Sequence, residues 1–577
     1  MSGLAHLFIE PKTPKQRRYE AIRSVEIDKL KVADAAKKFG YTKKALYTYI
    51  RDVKAGSLEL FPETKDDTNK SRIPEYVQKR IIELRKKNYS AVDIQKQLQE
   101  ECYKLSDRTV ERIIEKAGIH KLNRRTQAER GLTKKHQMIP QRATKLDFKK
   151  LEAFNVDCPV AGVFFFIPYI INSGILDIIN QCQLPQSSVI DAIQASLSML
   201  LLKLIGSERL SNINAYNHEP GFGLFAGLSV LPKSSYITTY SCRTSEEMLL
   251  TFQQQLLKHF QNSYPEFYQS EFINLDFHSI PHYGTESQME KVWCGAKHQA
   301  MKGANTVFAQ DSKSNVVLYT RADILRKDEI NEVQNFVSYW KSVKGNVKET
   351  LVFDCKFTSY QILDDLNRDK IRYITLRKRN KKLIKETLDI EEKKWKSIRL
   401  SIPKRKYKQC RIYESQVVLK EGCLPVRQII IKDHGRAEPT YVVTNNMELK
   451  IKEVLEVYAK RWRIENKLGE LVAFFNLNAL SSSLMVRIHF DILWTLIADT
   501  LYHGFAQDLP RFEHERANTI FKRFINMPGK VIYDGKEFII KIRKRAHTPI
   551  LIRLKSLSDG VKVPWLDNKI IRIQWTA

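Results

Sequence analysis

Apolar residues recur at helical spacing through the first 120 positions, and the period then changes. Between Val32 and Arg51, Ala36, Phe39, Leu46, Tyr49 and Ile50 fall on the inward faces of two helices. Gly40 supplies the tight turn between them, and Thr42 is placed to cap the second. Residues 15–53 therefore read as a helix-turn-helix. A polar, proline-containing stretch near 60–72 separates it from a second such pattern. There Ile73–Lys87 is a helix with Pro74 in its first turn. Ser90 caps a helix carrying Ile94 and Leu98, and Ser106 caps one carrying Val110, Ile113 and Ile114.

Periodicity is weak over 121–150 and helical again over 170–262, where Ser187–Ile205 reads as a long amphipathic helix and Ser245–Phe260 as another. Beyond about residue 266 strands alternate with helices. Glu271–Ile280 is a buried strand carrying Asp276, and 305–310 and 316–320 form a strand, turn and strand. A helix over 326–343, a strand over 349–355 ending at Asp354, a short helix over 360–368 and a strand over 371–377 follow. This order predicts a mixed sheet flanked by helices. Further strand-like runs stand at 397–402, 416–419, 427–431 and 440–444. Residues 529–545 alternate around Asp534-Gly535, which predicts a hairpin in a small β appendage over 509–577. The apolar runs 159–171 and 485–505 read as buried core helices: the first is too short to span a bilayer, and the second carries Arg487, His489, Asp491 and Asp499. No membrane partner is expected, and no repeat of 20–50 residues is present.

Charge changes this picture. Lys+Arg 96 against Asp+Glu 65 gives a formal net charge of +31, which points to a polyanion and above all to nucleic acid. The outward positions of the first module, Lys43, Lys44, Tyr47, Thr48 and Arg51, then become candidates for reading a major groove, as do Arg108 and Arg112 in the second. Arg124 and Arg125 lie in a basic linker, 123–150, suited to a DNA backbone or minor groove. The eight cysteines include no CxxC pair and no zinc-ligand spacing, so they read as reduced thiols of a cytoplasmic protein, and no signal peptide opens the chain.

Candidate chemistry centres on Tyr458, Arg461 and Glu465. Read as one helix, these three positions share a face that carries a phenol, a guanidinium and a carboxylate. A carboxylate beside a fixed arginine fits a site that holds a metal ion and a phosphate. With Asp276 and Asp354 on separate strands, the set resembles the DDE transposases of bacterial insertion sequences, and within them the insertion-sequence-four type marked by a tyrosine-arginine-glutamate signature. The resemblance covers most of residues 160–505. It implies a multidomain protein in which all-α helix-turn-helix modules (1–60 and 70–122) and a helical lead-in (151–265) precede an α/β ribonuclease H-like catalytic domain (266–508). It also implies a β subdomain inserted over about 380–450. The lysine that this group carries seven residues after the glutamate is absent: Val472 stands there, and Lys467 is the nearest lysine.

On this resemblance Asp276, Asp354 and Glu465 are both catalytic residues and metal ligands, while Tyr458 and Arg461 position a DNA phosphate. Clustered carboxylates repel one another, and oxygen donors suit two Mg²⁺ or Mn²⁺ ions, the arrangement used for in-line phosphoryl displacement. The implied partners are double-stranded DNA, as terminal inverted repeats and as target, and a second copy of the chain, because two ends must be cut. Two other readings stay open: a transposase-derived DNA-binding regulator without metal chemistry, and a nuclease that cuts without joining. Phe357 and Tyr360 read as core residues rather than stacking platforms for a base.

Overall fold

Short capped helices open the chain. The computed structural model describes residues 11, 13–61, 73–87, 89–119, 142–283, 289–322, 324–402, 408–479, 484–555 and 559–577. Arg124, Arg125 and the basic run 404–407 lie outside these residues. The chain divides into two units, Met1–His136 and Gln137–Ala577.

In the first unit, α1 (Pro14–Glu26), α2 (Val32–Phe39) and α3 (Lys43–Lys54) enclose a small core of Ala21, Ala35, Ala36, Phe39, Leu46 and Ile50. The Oγ1 of Thr42 accepts the Ala45 N–H at 3.2 Å, a cap worth about 1 kcal/mol. Gly40 ends α2 at φ +71°, a conformation that a side chain would strain. A second core, which includes Val77, Ile81, Leu98 and Val110, joins α4 (Glu75–Lys86), α5 (Ala91–Glu100) and α6 (Asp107–Lys116). Ser90 and Asp93 form a reciprocal capping box, and the Oγ of Ser106 accepts the Thr109 N–H. Pro74 stands at the cap of α4, one place before the first turn expected of it.

Two sheets organise the second unit. Its strands in chain order are β1 (Phe154–Cys158), β2 (Phe272–Pro281), β3 (Lys291–Cys294), β4 (Gln299–Asp311), β5 (Val317–Arg321), β6 (Thr350–Val352) and β7 (Tyr373–Leu376). They continue with β8 (Lys396–Arg399), β9 (Gln409–Val417), β10 (Val426–Lys432), β11 (Thr440–Thr444), β12 (Gly529–Tyr533), β13 (Phe538–Arg543), β14 (Val561–Val563) and β15 (Lys569–Thr576). The larger sheet has the order β5-β4-β2-β6-β7-β11-β10-β9-β8, with β3 also on β4. β2, β6 and β7 run parallel, and β4 is antiparallel to both β2 and β5.

The strands of 396–444, expected as an inserted β subdomain, continue the larger sheet. β11 pairs with β7 antiparallel, from Val442 opposite Leu376 to Thr444 opposite Ile374, and so carries the sheet onward. Ile374 and Val352 share one core with Ile429, Ile431 and Val442, and with Val454 and Leu455 of α11 (Ile451–Lys460). The C-terminal appendage is likewise tied in. β1, from far upstream, forms the edge of the second sheet, β1-β12-β13-β15-β14, and Val531, Phe538, Ile540 and Ile542 join the main core.

Helices fill the remaining space. α7 (Ala192–Leu204) is buried on nearly every side rather than amphipathic, because it packs against α13 (Met485–Gln507), itself buried from Ile488 to Ala506 apart from His503. Residues 161–170 are also buried, in a 3₁₀ turn running into a helix. Among the described residues no single helix is long and apolar enough to cross a membrane. α8 (Glu246–Ser263) and α9 (Glu332–Lys344) flank β5, and α9 starts six residues later than the pattern indicates because 329–331 forms a separate 3₁₀ turn. α10 (Tyr360–Arg368) connects β6 to β7.

Candidate active site

β2 and β6 pair in parallel from Phe272 opposite Thr350 to Asn274 opposite Val352. Continuing that register by two residues sets Asp276, midway along β2, level with Asp354, which lies just past the carboxyl end of β6. Strand spacing is about 5 Å, so the two acids share one edge of the sheet, where ligands of parallel sheets gather. An aromatic stack fixes this edge. Phe277, next to Asp276, lies flat on Phe357, just past Asp354, with ring centroids 4.0 Å apart. Phe357 is fully buried, so it is a core residue. The Phe277 N–H donates to Oδ1 of Asp276 at 3.0 Å.

The helical signature arrives from the other side. It is not one helix: α11 stops at Lys460, Arg461 caps it, and α12 (Trp462–Phe475) begins next. The Arg461 N–H donates to the Tyr458 carbonyl and the Ile464 N–H to that of Arg461, so the joint is wound as 3₁₀ turns. Tyr458 therefore occupies the last turn of one helix, Arg461 the joint and Glu465 the first turn of the next. α12 packs against β2, which brings Arg461 to the acids.

Arg461 is the hub of the cluster. Its Nη1 lies 2.9 Å from Oδ2 of Asp276, and its Nη2 donates to Oε1 of Glu465 at 3.2 Å. Burial works against its charge, but Asp276, Tyr458, Glu465 and Asp354 together raise its pKa above the usual arginine range. Burial pushes the Asp276 carboxyl up, Arg461 pulls it down, and the negative charge of Asp354 pushes it up again. Glu465 is raised by burial first and then by Asp276 and Asp354, against the pull of Arg461. Burial also raises the Tyr458 phenol. The thiol of Cys355, beside Asp354, is pushed up to about 12 by burial and by Asp354, so it is not a thiolate nucleophile at neutral pH.

Asp354, Tyr458, Arg461 and Glu465 line one cavity of about 580 Å³. Its floor is apolar, with Leu376, Ile402 and Val442, and its lining also includes Trp462, His434 and Arg436. The sequence reading missed these last three. Trp462 was detectable as an aromatic next to Arg461. His434 and Arg436 sit in the β10–β11 turn, and only the pairing of β11 with β7 delivers that turn to the site.

Other candidates are placed elsewhere. Lys467 is buried, and its Nζ donates to Oδ1 of Asp499 at 2.6 Å, so it braces α12 against α13. His278 is held by the Oδ1 of Asn478 at 2.7 Å, and burial lowers its pKa. In the first unit Lys43, Lys44, Tyr47, Thr48 and Arg51 together line one shallow groove on α3. The hydroxyl of Thr48 is already donated to the Lys44 carbonyl. Arg108 and Arg112 are exposed on α6.

Residues 268–501 match the family model of the transposase DDE domain. The matched span runs from just before β2 into α13 and contains Asp276, Asp354, Tyr458, Arg461 and Glu465. No curated protein matches the chain. Among solved structures, the piggyBac transposase synaptic complex with hairpin DNA is similar at 12% identity and a TM-score of 0.36, over 65% of this chain and 82% of that one. A likeness that distant carries no argument. The transposase DDE match therefore rests on sequence, and the gathering of the acids rests on the fold.

Among the described residues, no three His, Cys, Asp or Glu side chains stand ready around a metal ion, and Arg461 links two of the acids instead. The donor set nevertheless fits a hard divalent cation. It offers only carboxylate oxygens, and Asp276 and Glu465 each feel the charge of Asp354, a repulsion that a cation relieves.

Proposed function

We propose that this chain is a DNA transposase, which binds the ends of a mobile element, cuts them and joins them to target DNA through Asp276, Asp354 and Glu465. The observation that carries the reading is the convergence of these three acids on Arg461 inside the segment that matches the transposase DDE domain. The strand order β5-β4-β2-β6-β7, with one antiparallel member between, supports the ribonuclease H-like fold expected of such a domain.

Asp276, Asp354 and Glu465 would hold Mg²⁺ or Mn²⁺. When bound, two such ions activate water and stabilise charge on the attacking and leaving oxygens. Arg461 and Tyr458 orient the scissile phosphate, the guanidinium as a planar donor and the neutral phenol as a second donor. The apolar floor of the cavity limits water around that phosphate. The two N-terminal three-helix modules act as helix-turn-helix readers of the element ends. Lys43, Lys44, Tyr47, Thr48 and Arg51 read one DNA groove and Arg108 and Arg112 another, while Arg124 and Arg125 of the basic linker contact phosphates. The protein works as a homodimer, because two ends are cut in one event, and it acts on cytoplasmic DNA.

The test uses the full chain and DNA carrying the sequences that flank its reading frame. With Mg²⁺ or Mn²⁺ the wild type is expected to cut at the element end, and to transfer a pre-nicked 3′-hydroxyl end to a second duplex. Asp354→Asn is expected to lower cleavage by at least about a thousandfold with end binding retained. Cleavage by the variant at the wild-type rate overturns the assignment of that acid. Cutting without any transfer replaces the transposase by a nuclease.

A further inference from the structure

Arg461 does more than wait for a phosphate. Before any cation arrives, it is the positive group that lets Asp276, Asp354 and Glu465 stand together. Two of its nitrogens are spent on two of those acids, at 2.9 and 3.2 Å, and its side chain is only 13% exposed. The two contacts differ in kind. Nη2 makes a directed hydrogen bond to Glu465. Nη1 is buried beside Oδ2 of Asp276 at 2.9 Å, an ion pair whose hydrogen-bond angle is poorer than that to Glu465. A contact of this kind is held chiefly by charge, and a stronger charge at the same oxygen can replace it. The joint between α11 and α12 also matters. Arg461 sits where two helices meet, with its neighbour Arg463 pinned to the Ser312 carbonyl at 2.9 Å, so its side chain can turn while the backbone on either side stays anchored.

We infer that Arg461 is the resident counter-charge of the acidic cluster, and that a divalent cation bound there displaces its guanidinium from Asp276 and turns it toward the cavity lined by Asp354, Trp462 and Arg436. This rests on the reading of the three acids as cation ligands. The consequence is a coupling: loading the cation frees the group that grips the phosphate, so the phosphate grip forms only on a loaded site. Thermodynamically, the cation and Arg461 compete for Asp276. Removing the arginine must then strengthen cation binding, whereas an arginine that merely holds the acids in place must, when removed, weaken it. The sign of the change separates the two roles.

The experiment measures Mn²⁺ binding to the full chain without DNA, by the paramagnetic resonance signal of free Mn²⁺. Arg461→Ala and Arg461→Gln are both used, so that one misfolded variant does not end the test, and Arg461→Lys retains the charge. The expected result is Mn²⁺ affinity on the order of tenfold higher for Ala and Gln, and near the wild type for Lys. Affinity that is unchanged or lower in both neutral variants overturns the proposal. Asp276→Asn, Asp354→Asn and Glu465→Gln are measured alongside. If wild-type Mn²⁺ binding does not depend on any of them, the reading of the acids falls and takes this inference with it. If it does depend on them and the neutral Arg461 variants bind no tighter, only the inference falls.

Discussion

Lys467 shows how a single side chain can look like chemistry and be architecture. It follows Glu465 by two residues, so on α12 it points to the opposite side of the helix, into the protein. There its ammonium meets Asp499 at 2.6 Å, with Glu470 at 3.6 Å, and both Lys467 and Asp499 are almost fully buried. Taking one partner from a buried pair leaves the other charge stranded, at a cost of about 3–5 kcal/mol. Lys467→Met is therefore expected to lower the thermal midpoint markedly, whereas Lys467→Met with Asp499→Leu recovers most of that loss. Calorimetry of both variants checks this. A single variant as stable as the wild type removes the bracing role. Glu465, two residues away, differs only in direction: it faces the open side and Arg461. The sequence names both residues equally well, and the helix phase separates them.

At the scale of elements, the legible features were those decided locally. Thr42, Ser90 and Ser106 cap the helices that their positions announce, and Asp534-Gly535 makes its hairpin, with Gly535 at φ +93°. What escaped the sequence was set by distant partners. Nothing in 440–444 says that its neighbour is β7, so the sequence does not show that the strands of 396–444 extend the sheet. Nothing near 154–158 announces that β1 borders β12. The candidate acids stood out in the sequence, Asp276 within an apolar strand, Asp354 just past one and Glu465 in the first turn of a helix, whereas His434 and Arg436, which the same sheet extension delivers, did not. α13 carries a second consequence of distant packing. His489 is buried near Thr320 at the end of β5, and burial lowers its pKa to about 4. A base whose pKa is depressed in the folded protein gives stability that is complete above its unfolded value, near 6.5, and is lost as pH falls toward 4. The shift corresponds to about 3 kcal/mol across that window. Relative to the wild type, His489→Gln is expected to flatten the fall of the thermal midpoint between pH 7 and pH 4.5. Equal slopes in the two proteins sink this assignment.

For the whole molecule the governing quantity is its charge. A net +31 favours sequence-independent attraction to the phosphates of DNA, a kind of binding that weakens steeply with salt. On the proposed function the protein must still find the element's ends, and on that proposal the first unit adds base contacts to that background. Arg51 is the most informative residue for this. It lies on α3 in the groove with Lys43, Lys44, Tyr47 and Thr48, its side chain is 75% exposed, and it pairs with neighbouring Asp52 at 2.8 Å. An exposed pair of that kind holds by less than about 1 kcal/mol, so DNA can draw the guanidinium away from Asp52 at little cost. If Arg51 reads a base edge, Arg51→Ala is expected to weaken binding to the element end by about 1–3 kcal/mol and to leave random duplex almost untouched. If it touches only phosphate, both duplexes weaken alike, and the slope of log affinity against log salt falls by about one. Titrating the full chain with both duplexes at several salt concentrations tells the two apart. Identical losses on the two duplexes would withdraw Arg51 from sequence reading and shift that task to Lys43, Lys44 or Tyr47.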